Sequence, residues 1–367
     1  MTAGRKVLVI GDDTRSFLAT VRSLGRRGVE VHAAPFDLRS PALRSRYIRA
    51  IHRLPYYLDG GDAWVVAMRA LIREHGFALV IPCEERGLLP LYRHREAFDP
   101  ACRLAIPDEK ALAAFFDKYA TRELAQAAGV PVPPGRLLTA TETAQTLAAD
   151  FSFPLVLKYR RSYAWPDLYV RKAAFVIDSS EELERWLLAH HAEPDQVYVE
   201  QFFPGLGGGV SVLCDKGTVI QAFEHQRAHE LVGSSYYRRS TALDRARLDA
   251  VVAMVERVAY TGLAMFEYKL NTGSGAWRLL EVNARPWGSL PLPVALGVDF
   301  PYFLFRLLVQ GEALPPVRYR EGVYGRNLVP DLWQLRAIVA KSRGALIAAA
   351  GHVLSWLGEF GRIFLGR

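Results

Sequence analysis

The chain has 367 residues, of which 50% are hydrophobic and 23% are charged. This length and composition predict two or three globular domains and exclude a disordered, collagen-like or low-complexity protein. The 46 basic and 38 acidic residues give a net charge of +8, which favours anionic partners such as nucleotides, phosphates or an acidic membrane surface.

The first elements along the chain predict a parallel α/β sheet. Residues 6–10 (KVLVI) form a short apolar strand, a helical pattern follows through Phe17 and Leu24, and residues 29–33 resemble a second strand. The turn after the first strand is GDDTRS rather than a GxGxxG motif. Because its two acids would stand where a pyrophosphate should bind, we do not expect a dinucleotide site.

Further predicted elements continue the α/β pattern. A helix over 64–74 precedes a strand over 78–82, and Glu84 and Glu85 follow that strand. Acids beyond the carboxyl end of such a strand lie where open α/β sheets bind ligands, although they can also merely cap the next helix. Later segments read as helix (110–128, 180–190), as strand (155–159, 197–202), or as a Pro/Gly boundary between domains (129–135).

A hairpin near the C-terminal end brings two acids together. The predicted strands 262–271 and 276–283 are joined by Thr-Gly-Ser-Gly, and a loop symmetric about Ser274 would pair Glu267 with Glu281. Asn283 shares a face with Glu281. Two carboxylates and an amide oxygen suit a hard cation, best Mg²⁺ shared with phosphate oxygens. The alternative is a solvated strand face on which a glutamate pairs with Lys269.

The hairpin motif resembles that of the ATP-grasp ligases, in the branch of carboxylate–amine ligases or carbamoyl-phosphate-synthase-like proteins. The resemblance covers residues 5–315 and is most specific at Glu281-x-Asn283-x-Arg285, with Glu267 preceding it. It implies that Glu267, Glu281 and Asn283 hold Mg²⁺, or alternatively Mn²⁺, against ATP phosphates. It also implies that Arg285 lies beside the reacting carboxylate or acyl phosphate.

Two lysines fit the same resemblance. Lys118 and Lys158 are 40 residues apart in the sequence, as expected for two lysines that reach the phosphates of ATP. A lysine that points from a strand into a cleft is a compact charge suited to phosphate. Taken alone, either lysine fits a surface residue whose ammonium reaches solvent better than a phosphate ligand.

The predicted adenine hinge is residues 197–205 (VYVEQFFPG). The resemblance implies that Glu200 or Gln201 accepts a hydrogen bond from the adenine amine and that Phe202 lines the pocket. The alternative for the aromatic residues is core packing.

The segment 225–240 carries the predicted substrate site. It matches the family pattern H-x-R-x-x-E…G-x-S…R-x-S. The implied substrate-binding residues are Glu230, Ser235 and Arg238, joined by Glu84, and Arg227 is the second predicted catalytic residue. Arg227 and Arg238 can each bind a carboxylate or phosphate through two hydrogen bonds. The alternative for this segment is a solvated, salt-bridged loop.

The chain departs from the family pattern in two places. The family usually has a glycine-rich loop after the residue matched by Lys158, whereas this chain has the sequence YRRSYAWP over 159–166. The acid expected to bind the ribose falls within Gly207-Gly208-Gly209. Nucleotide affinity is therefore predicted less firmly than the metal site.

The predicted architecture is an ATP-grasp fold of the α/β (overall α+β) class. Residues 1–114 form a parallel N-terminal α/β domain, 115–200 a small lid subdomain, 201–316 a mixed-sheet subdomain with the metal hairpin, and 317–367 a helical tail. The predicted activity is ATP-dependent ligation of a carboxylate, from an amino acid or small peptide, to an amine through an acyl phosphate. The alternative is an ATP-binding module without ligase turnover.

Expectations about partners and location complete the prediction. Cys83, Cys102 and Cys214 form no CxxC pair, which indicates buried thiols in a reducing compartment. No secretory leader is visible, and the longest charge-free apolar run near the end (345–358) is too short to cross a bilayer. We expect a cytoplasmic protein with no nucleic-acid partner. An amphipathic stripe in the tail packs on the chain itself or a homodimer partner, or binds the inner membrane face peripherally.

Overall fold

A computed structural model describes residues 6–163, 165–190, 194–228, 237–341, 350–354 and 356–358 of the chain. The described residues form three β-sheets flanked by helices. The fold is mixed α/β, as predicted.

The N-terminal sheet is parallel and has five strands: β1 (Lys6–Ile10), β2 (Glu30–Ala34), β3 (Ile48–Ile51), β4 (Leu79–Pro82) and β5 (Arg103–Leu104). Their order is β3-β2-β1-β4-β5. The helices that follow in this region are α1 (Ser16–Arg26), α2 (Asp62–His75), α3 (Glu85–Arg93), α4 (Glu109–Phe116) and α5 (Lys118–Ala127). The order reverses beside β1, so the carboxyl ends of β1 and β4 frame the crevice in which such sheets bind ligands.

A small four-stranded sheet follows. Its strands are β6 (Gly135–Leu137), β7 (Leu155–Tyr159), β8 (Ala174–Ile177) and β9 (Val197–Gln201), in the order β6-β9-β7-β8. The helices in this part are α6 (Ala144–Asp150) and α7 (Ser180–His190). One side of the sheet and both helices enclose a core that includes Leu147, Leu157 and Leu183.

The third sheet has six antiparallel strands: β10 (Leu206–Asp215), β11 (Thr218–Arg227), β12 (Tyr237–Thr241), β13 (Gly262–Leu270), β14 (Trp277–Asn283) and β15 (Tyr324–Arg326). Their order is β14-β13-β10-β11-β12-β15. The helices are α8 (Arg245–Arg257), α9 (Pro291–Ala295), α10 (Phe300–Gln310) and α11 (Leu328–Lys341), and short 3-10 turns lie in loops at Pro41–Arg44, Asp59–Gly61, Arg95–Ala97 and Pro194–Gln196.

One core joins the first and third sheets. Val9 of β1, Phe223 of β11 and Phe300 of α10 belong to the same buried cluster. At its edge, Asp299 accepts a hydrogen bond from the Ser23 hydroxyl and pairs with Arg27. This shared core fixes the crevice of the N-terminal sheet against one face of the six-stranded sheet.

Helix 110–128 is predicted as one element but is broken at Asp117. The Asp117 carboxylate accepts hydrogen bonds from the amides of Tyr119 and Ala120, so it caps a new helix that begins at Lys118. The prediction of a single helix is therefore wrong, and the break places Lys118 at a helix N-terminus.

Residues just after the predicted boundary at 316 contact the six-stranded sheet. The amide of Val317 donates to the Gln221 side chain, the Tyr319 hydroxyl donates to the carbonyl of Thr241, and β15 pairs with β12. The division at 316 stays a prediction. Among the described residues, no helix combines the length and apolar character that crossing a bilayer requires.

Candidate active site

The hairpin of β13 and β14 pairs Glu267 with Glu281, as predicted. The register near the turn differs from the predicted one, since Leu270 lies opposite Trp277. A bulge restores the predicted pairing, because Leu280 is an extra residue in β14 between the partners of Tyr268 and Glu267. Asn283 lies on the same face, and its amide nitrogen is 3.2 Å from Oε1 of Glu281.

Cations from other elements surround the Glu281 carboxylate. Burial raises the pKa of Glu281. Lys118, Lys158 and Arg285 act in the opposite direction, and the net pKa lies below its usual value. Conversely, burial lowers the pKa of Lys118, and Glu281 opposes that shift. Lys118 and Lys158 lie on α5 and β7, outside the hairpin, so the fold brings the predicted phosphate lysines to the predicted metal carboxylates.

Glu267 meets a pair of arginines. Its carboxylate forms an ion pair with Arg227 of β11, and Arg227 lies directly opposite Arg238 of β12. Both guanidinium groups line the same cavity as Glu267. Two adjacent arginines make this wall of the cavity suited to a carboxylate or a phosphate.

His225 lines the same cavity and lies on β11, the strand that carries Arg227. It is buried, and burial together with Arg238 and Arg227 lowers its pKa well below the usual value, which keeps the ring neutral. Its Nδ1 has no hydrogen-bond partner within the described protein. Gly209 on β10 allows the close fit, since a Cβ there would lie 2.9 Å from His225 Cε1 and 3.1 Å from Met265 Cγ.

The loops at the carboxyl end of β4 supply two acids with different partners. Glu85 accepts a hydrogen bond from Nη2 of Arg285 at 3.2 Å, and Arg285 is partly buried. Burial lowers the pKa of Arg285, but Glu85 and Glu281 raise it above its usual value. Glu84 instead pairs with Arg86, whose Nε donates at 2.9 Å. Both acids line the cavity, and Glu85 also positions Arg285.

These side chains enclose a polar cavity of about 590 Å³ between the N-terminal sheet and the hairpin. Its walls include the predicted site residues Glu84, Arg227, Arg238, Glu267, Glu281, Asn283 and Arg285. Cys83 also lines it, but burial raises the pKa of its thiol well above the usual range. Thiolate chemistry at Cys83 is thus disfavoured.

Asp13 shows why the turn after β1 is acidic. Its carboxylate accepts hydrogen bonds from the amides of Arg15, Ser16 and Phe17 at the start of α1. The carboxylate thus occupies the helix N-terminus where a dinucleotide site would bind a phosphate, in agreement with the sequence.

The predicted hinge residues are only partly arranged as expected. Glu200 forms a buried ion pair with Lys158. Glu200 raises the pKa of Lys158 above its ordinary value, although burial lowers it. The carbonyl oxygen of the Gln201 side chain accepts from the amide of Ser152 at 2.9 Å, and its nitrogen donates to the Ser152 carbonyl at 2.8 Å.

The Gln201 side chain is thereby held against Ser152, and its acceptance of a hydrogen bond from an adenine amine stays a prediction. Phe202 is partly buried beneath the ammonium of Lys269, 5.2 Å from its ring centre. Phe202 remains a candidate wall of a nucleotide pocket.

The loop that replaces the glycine-rich segment is anchored to the N-terminal domain. Leu168 is fully buried in the core of that domain. The Trp165 ring packs 5.1 Å from that of Tyr57 and 4.7 Å from the guanidinium of Arg93. Ser162 in this loop accepts a hydrogen bond from Nζ of Lys118 at 2.8 Å.

Some predicted residues of this site lie outside the described part of the structure. The site also contains residues that the sequence did not predict. Glu230 and Ser235 lie outside the described residues. Arg171, which lines the cavity, carries no motif in the sequence. Glu85 is one of the two acids that the sequence places at the ligand-binding edge, and His225 begins the motif of the predicted substrate segment.

Comparisons with known proteins relate part of the chain to a described family and to a curated relative. Residues 193–328 match a family described as ATP-grasp in the biosynthetic pathway with Ter operon. A protein of Emericella nidulans assigned as a urea carboxylase is 29% identical over 198 residues, which is 49% of this chain and 15% of that protein. The chain thus spans a small part of this curated relative.

Solved structures share the fold. The biotin carboxylase domain of Hydrogenobacter thermophilus 2-oxoglutarate carboxylase matches with a TM-score of 0.67 and 19% identity, over 87% of this chain and 73% of that one. N5-carboxyaminoimidazole synthetase from Staphylococcus aureus gives 0.67 and 14% over 93% and 87%. L-amino acid ligase from Bacillus licheniformis gives 0.61 and 19% over 85% and 77%. The chain therefore has the ATP-grasp fold.

Proposed function

We propose that the protein is an ATP-dependent ligase that joins a carboxylate to an amine. The supporting observation is that Glu281 lies among Lys118, Lys158 and Arg285, on the hairpin that also carries Glu267. Pure binding of a nucleotide does not require two facing carboxylates. A metal–phosphate site beside an arginine-lined cavity is what phosphoryl transfer to an acid requires.

The hairpin residues fit a magnesium ion. Glu267, Glu281 and Asn283 offer carboxylate and amide oxygens, which are the hard ligands that Mg²⁺ and, as an alternative, Mn²⁺ prefer. When bound, the ion would neutralise the phosphates of ATP and orient the γ-phosphoryl group. The biotin carboxylase domain of 2-oxoglutarate carboxylase was solved with magnesium ADP, which supports ATP and Mg²⁺ as cofactors here.

The cations around the hairpin would bind and position the two reacting groups. Lys118 and Lys158 supply positive charge for the ATP phosphates, and Arg227 and Arg238 bind the carboxylate substrate or the phosphate formed from it. Arg285, held by Glu85, faces the carboxylate of Glu281 and would stabilise negative charge that develops on the transferred group.

An amine cannot displace an oxygen of a free carboxylate, because that oxygen is a poor leaving group, so the carboxylate is phosphorylated first. An oxygen of the substrate carboxylate attacks the γ-phosphorus, the bond to ADP breaks, and an acyl phosphate forms. The amine nitrogen then attacks the acyl carbon, inorganic phosphate leaves, and the amine loses a proton. The products are an amide, ADP and phosphate, and this protein contributes positioning and charge neutralisation rather than a nucleophile.

We infer an amino acid or small peptide as the substrate class. The cavity carries both arginines and the acids Glu84 and Glu85, so it offers partners for a carboxylate and for an ammonium group. The likeness to an L-amino acid ligase supports this class. The likeness to carboxylases makes bicarbonate the competing acid.

The second candidate function is ATP binding without ligase turnover. The observation that favours it is the anchored loop, because Trp165 and Leu168 pack on the N-terminal domain. A loop tied in this way closes over phosphates less freely than a glycine-rich one. In that case ATP would change a partner interaction.

One assay separates these functions. In the presence of Mg²⁺ and ATP, we expect the protein to release phosphate only with particular acids and amines. Mass spectrometry then detects the amide product. Bicarbonate alone as activator would indicate a carboxylase, and ADP release that no acid stimulates would exclude the ligase. Glu281→Gln is the inactive control, and exposed Glu109→Gln on α4 is the matched variant that should react normally.

We further propose a cytoplasmic location with small-molecule partners and no nucleic acid.

The described part of the tail supports an external contact, because Trp333 is 75% exposed and Leu332 is 46% exposed. Either a second copy of the chain, giving a homodimer, or the inner face of a membrane would cover these side chains.

A further inference from the structure

Three histidines converge in the N-terminal domain, outside the cavity described above. His32 lies in β2, His52 follows β3 directly, and His75 is the last residue of α2. One ring nitrogen from each lies within 4.8 Å of the others. Elements distant in sequence thus deliver three imidazoles to one point.

The cluster lies apart from the candidate active site. Glu30, which contacts His32, is the first residue of β2, and His75 ends the helix that precedes β4. The cluster thus lies beside β2 and β3, whereas the carboxyl ends of β1 and β4 frame the cavity. The cavity is at the carboxyl ends of those strands, and none of the three histidines is among its lining residues.

Hydrogen bonds leave His32 ready to bind a cation through one nitrogen. Its Nε2 is 3.0 Å from Oε1 of Glu30, and since an ionised carboxylate only accepts, His32 donates from Nε2. Its Nδ1 therefore keeps a lone pair, which meets Nε2 of His52 at 2.8 Å. A carboxylate that fixes the tautomer of a histidine is the usual support of a metal-binding imidazole.

The rings are packed so that they stay together. His32 and His52 are stacked with centroids 5.0 Å apart, and the His75 ring lies 4.7 Å from that of His52. The Phe77 ring contacts His32 and His75 at 5.1 and 5.5 Å. This apolar wall limits solvent on one side, while His52 and His75 are only partly buried and leave an entry path.

The donor set selects the kind of metal. Imidazole nitrogens suit Zn²⁺ and neighbouring transition metals rather than Mg²⁺, which prefers oxygen. Zinc–nitrogen bonds of about 2.0–2.1 Å place tetrahedral ligand atoms ~3.3 Å apart, so small ring rotations would suffice. Glu74 lies 3.7 Å from Nε2 of His75 and offers a fourth ligand.

We propose that His32, His52 and His75 form a binding site for one Zn²⁺ ion or a similar transition metal. The ion would link β2, the segment after β3 and the end of α2. Its role is to stabilise the N-terminal domain, because the site is remote from the cavity. The proposal does not depend on the ligase activity.

Calorimetry on the full-length, tag-free and metal-stripped protein tests the site. Zinc chloride is titrated in the presence of excess Mg²⁺, which occupies the oxygen ligands of the hairpin. We expect one Zn²⁺ per chain and a rise in the unfolding temperature on binding. Replacing Zn²⁺ by Co²⁺ should give the visible absorption of a tetrahedral nitrogen site.

Two variants and two controls decide the assignment. His75→Gln and His52→Gln should each weaken Zn²⁺ binding at least tenfold, whereas His352→Gln, at an exposed position, should not. Glu281→Gln should retain the site. Absence of a bound equivalent, wild-type affinity in both cluster variants, or loss of binding in Glu281→Gln would overturn the proposal. If His52→Gln fails to fold, the partly exposed His75 carries the test.

Discussion

Glu281 shows how far a single residue depends on elements that are remote in sequence. Burial raises its pKa, but Lys118, Lys158, the hydrogen bond from Asn283 and Arg285 together lower it below the usual value. Folding therefore favours the charged carboxylate even without a metal ion. The hairpin sequence alone shows only two facing acids, which would repel each other and suggest that removing one charge is harmless or stabilising.

We expect Glu281→Gln to lower ATP turnover at least about 100-fold, because it removes a metal-binding charge. The variant should also unfold at a slightly lower temperature without Mg²⁺, since three nearby cations lose their attraction to the Glu281 charge. Phosphate release and thermal unfolding monitored by circular dichroism measure the two effects.

The stability part of this prediction has a pH signature. Because the pKa of Glu281 is lowered on folding, its charge stabilises the protein above the ordinary value of 4.5, and that stability is lost as pH falls through the lowered pKa. The gap in unfolding temperature between wild type and variant should thus be full at neutral pH and shrink in acid. A gap of opposite sign at neutral pH would mean that cross-strand repulsion dominates.

Lys118 offers a cleaner test of phosphate binding than Lys158. Lys158 forms a buried ion pair with Glu200, so its loss would leave an uncompensated charge and confound folding with binding. The Lys118 ammonium instead donates a hydrogen bond to the neutral hydroxyl of Ser162.

We expect Lys118→Met to weaken MgATP binding about tenfold or more, as the loss of a charge that faces phosphate would. Calorimetric titration measures the affinity. Lys110→Met, at an exposed position of α4, is the matched control and should bind like wild type. Equal affinity in both variants would remove Lys118 from the site.

At the scale of elements, the apolar patterns of the sequence predict many strands and helices well, and their exceptions have local causes. β1, β7 and α7 have the predicted bounds. The helix break at Asp117 was missed because the surrounding residues keep a helical pattern while one carboxylate caps a new start. The bulge at Leu280 was missed because the strand's alternation gives no sign of an extra residue.

The residues of the candidate site could be predicted where a sequence motif identifies them. They could not be predicted where only the packing of distant segments brings them together. Glu267, Glu281 and Asn283 could be placed from strand pairing. The hydrogen bonds that hold the Gln201 side-chain amide depend on Ser152, which is distant in sequence. Likewise, Arg171 joins the cavity only because its loop packs across the N-terminal domain.

That loop has a testable function as an anchor. Trp165→Ala removes its contacts with Tyr57 and Arg93, and should lower stability by about 1–3 kcal/mol because the ring is only partly buried. We expect faster cleavage within 159–172 in limited proteolysis. Trp333→Ala at an exposed position should change neither property, and wild-type protection of the loop in Trp165→Ala would contradict the anchor.

At the scale of the whole molecule, the core shared by the first and third sheets holds the cavity open between them. Val9 and Phe223 belong to one buried cluster, so these sheets move little relative to each other. The small sheet has a separate core around Leu157. Closure over a nucleotide is therefore expected to move the small sheet, with the anchored loop limiting its range.

Among the described residues, the tail exposes apolar side chains on α11, while Trp356 packs against Arg326 of β15. Among the residues of α11 whose side chains the structure describes, none is buried, and Trp333 and Leu332 face outward. Arg336, Lys341 and Arg343 make the same part of the sequence basic. Exposed apolar side chains beside basic ones are typical of a helix that lies on an anionic membrane surface.

We expect full-length protein to co-sediment with vesicles that contain anionic lipid at low salt, and less at high salt because basic residues contribute. Truncation after Arg336 should abolish this binding while ligase activity is retained, since β15 and its pairing with β12 remain. The double change Leu332→Ala and Trp333→Ala should weaken binding without shortening the chain. Failure of the full-length protein to bind, together with a dimer in sedimentation that the truncation converts to a monomer, would assign the tail to self-association instead.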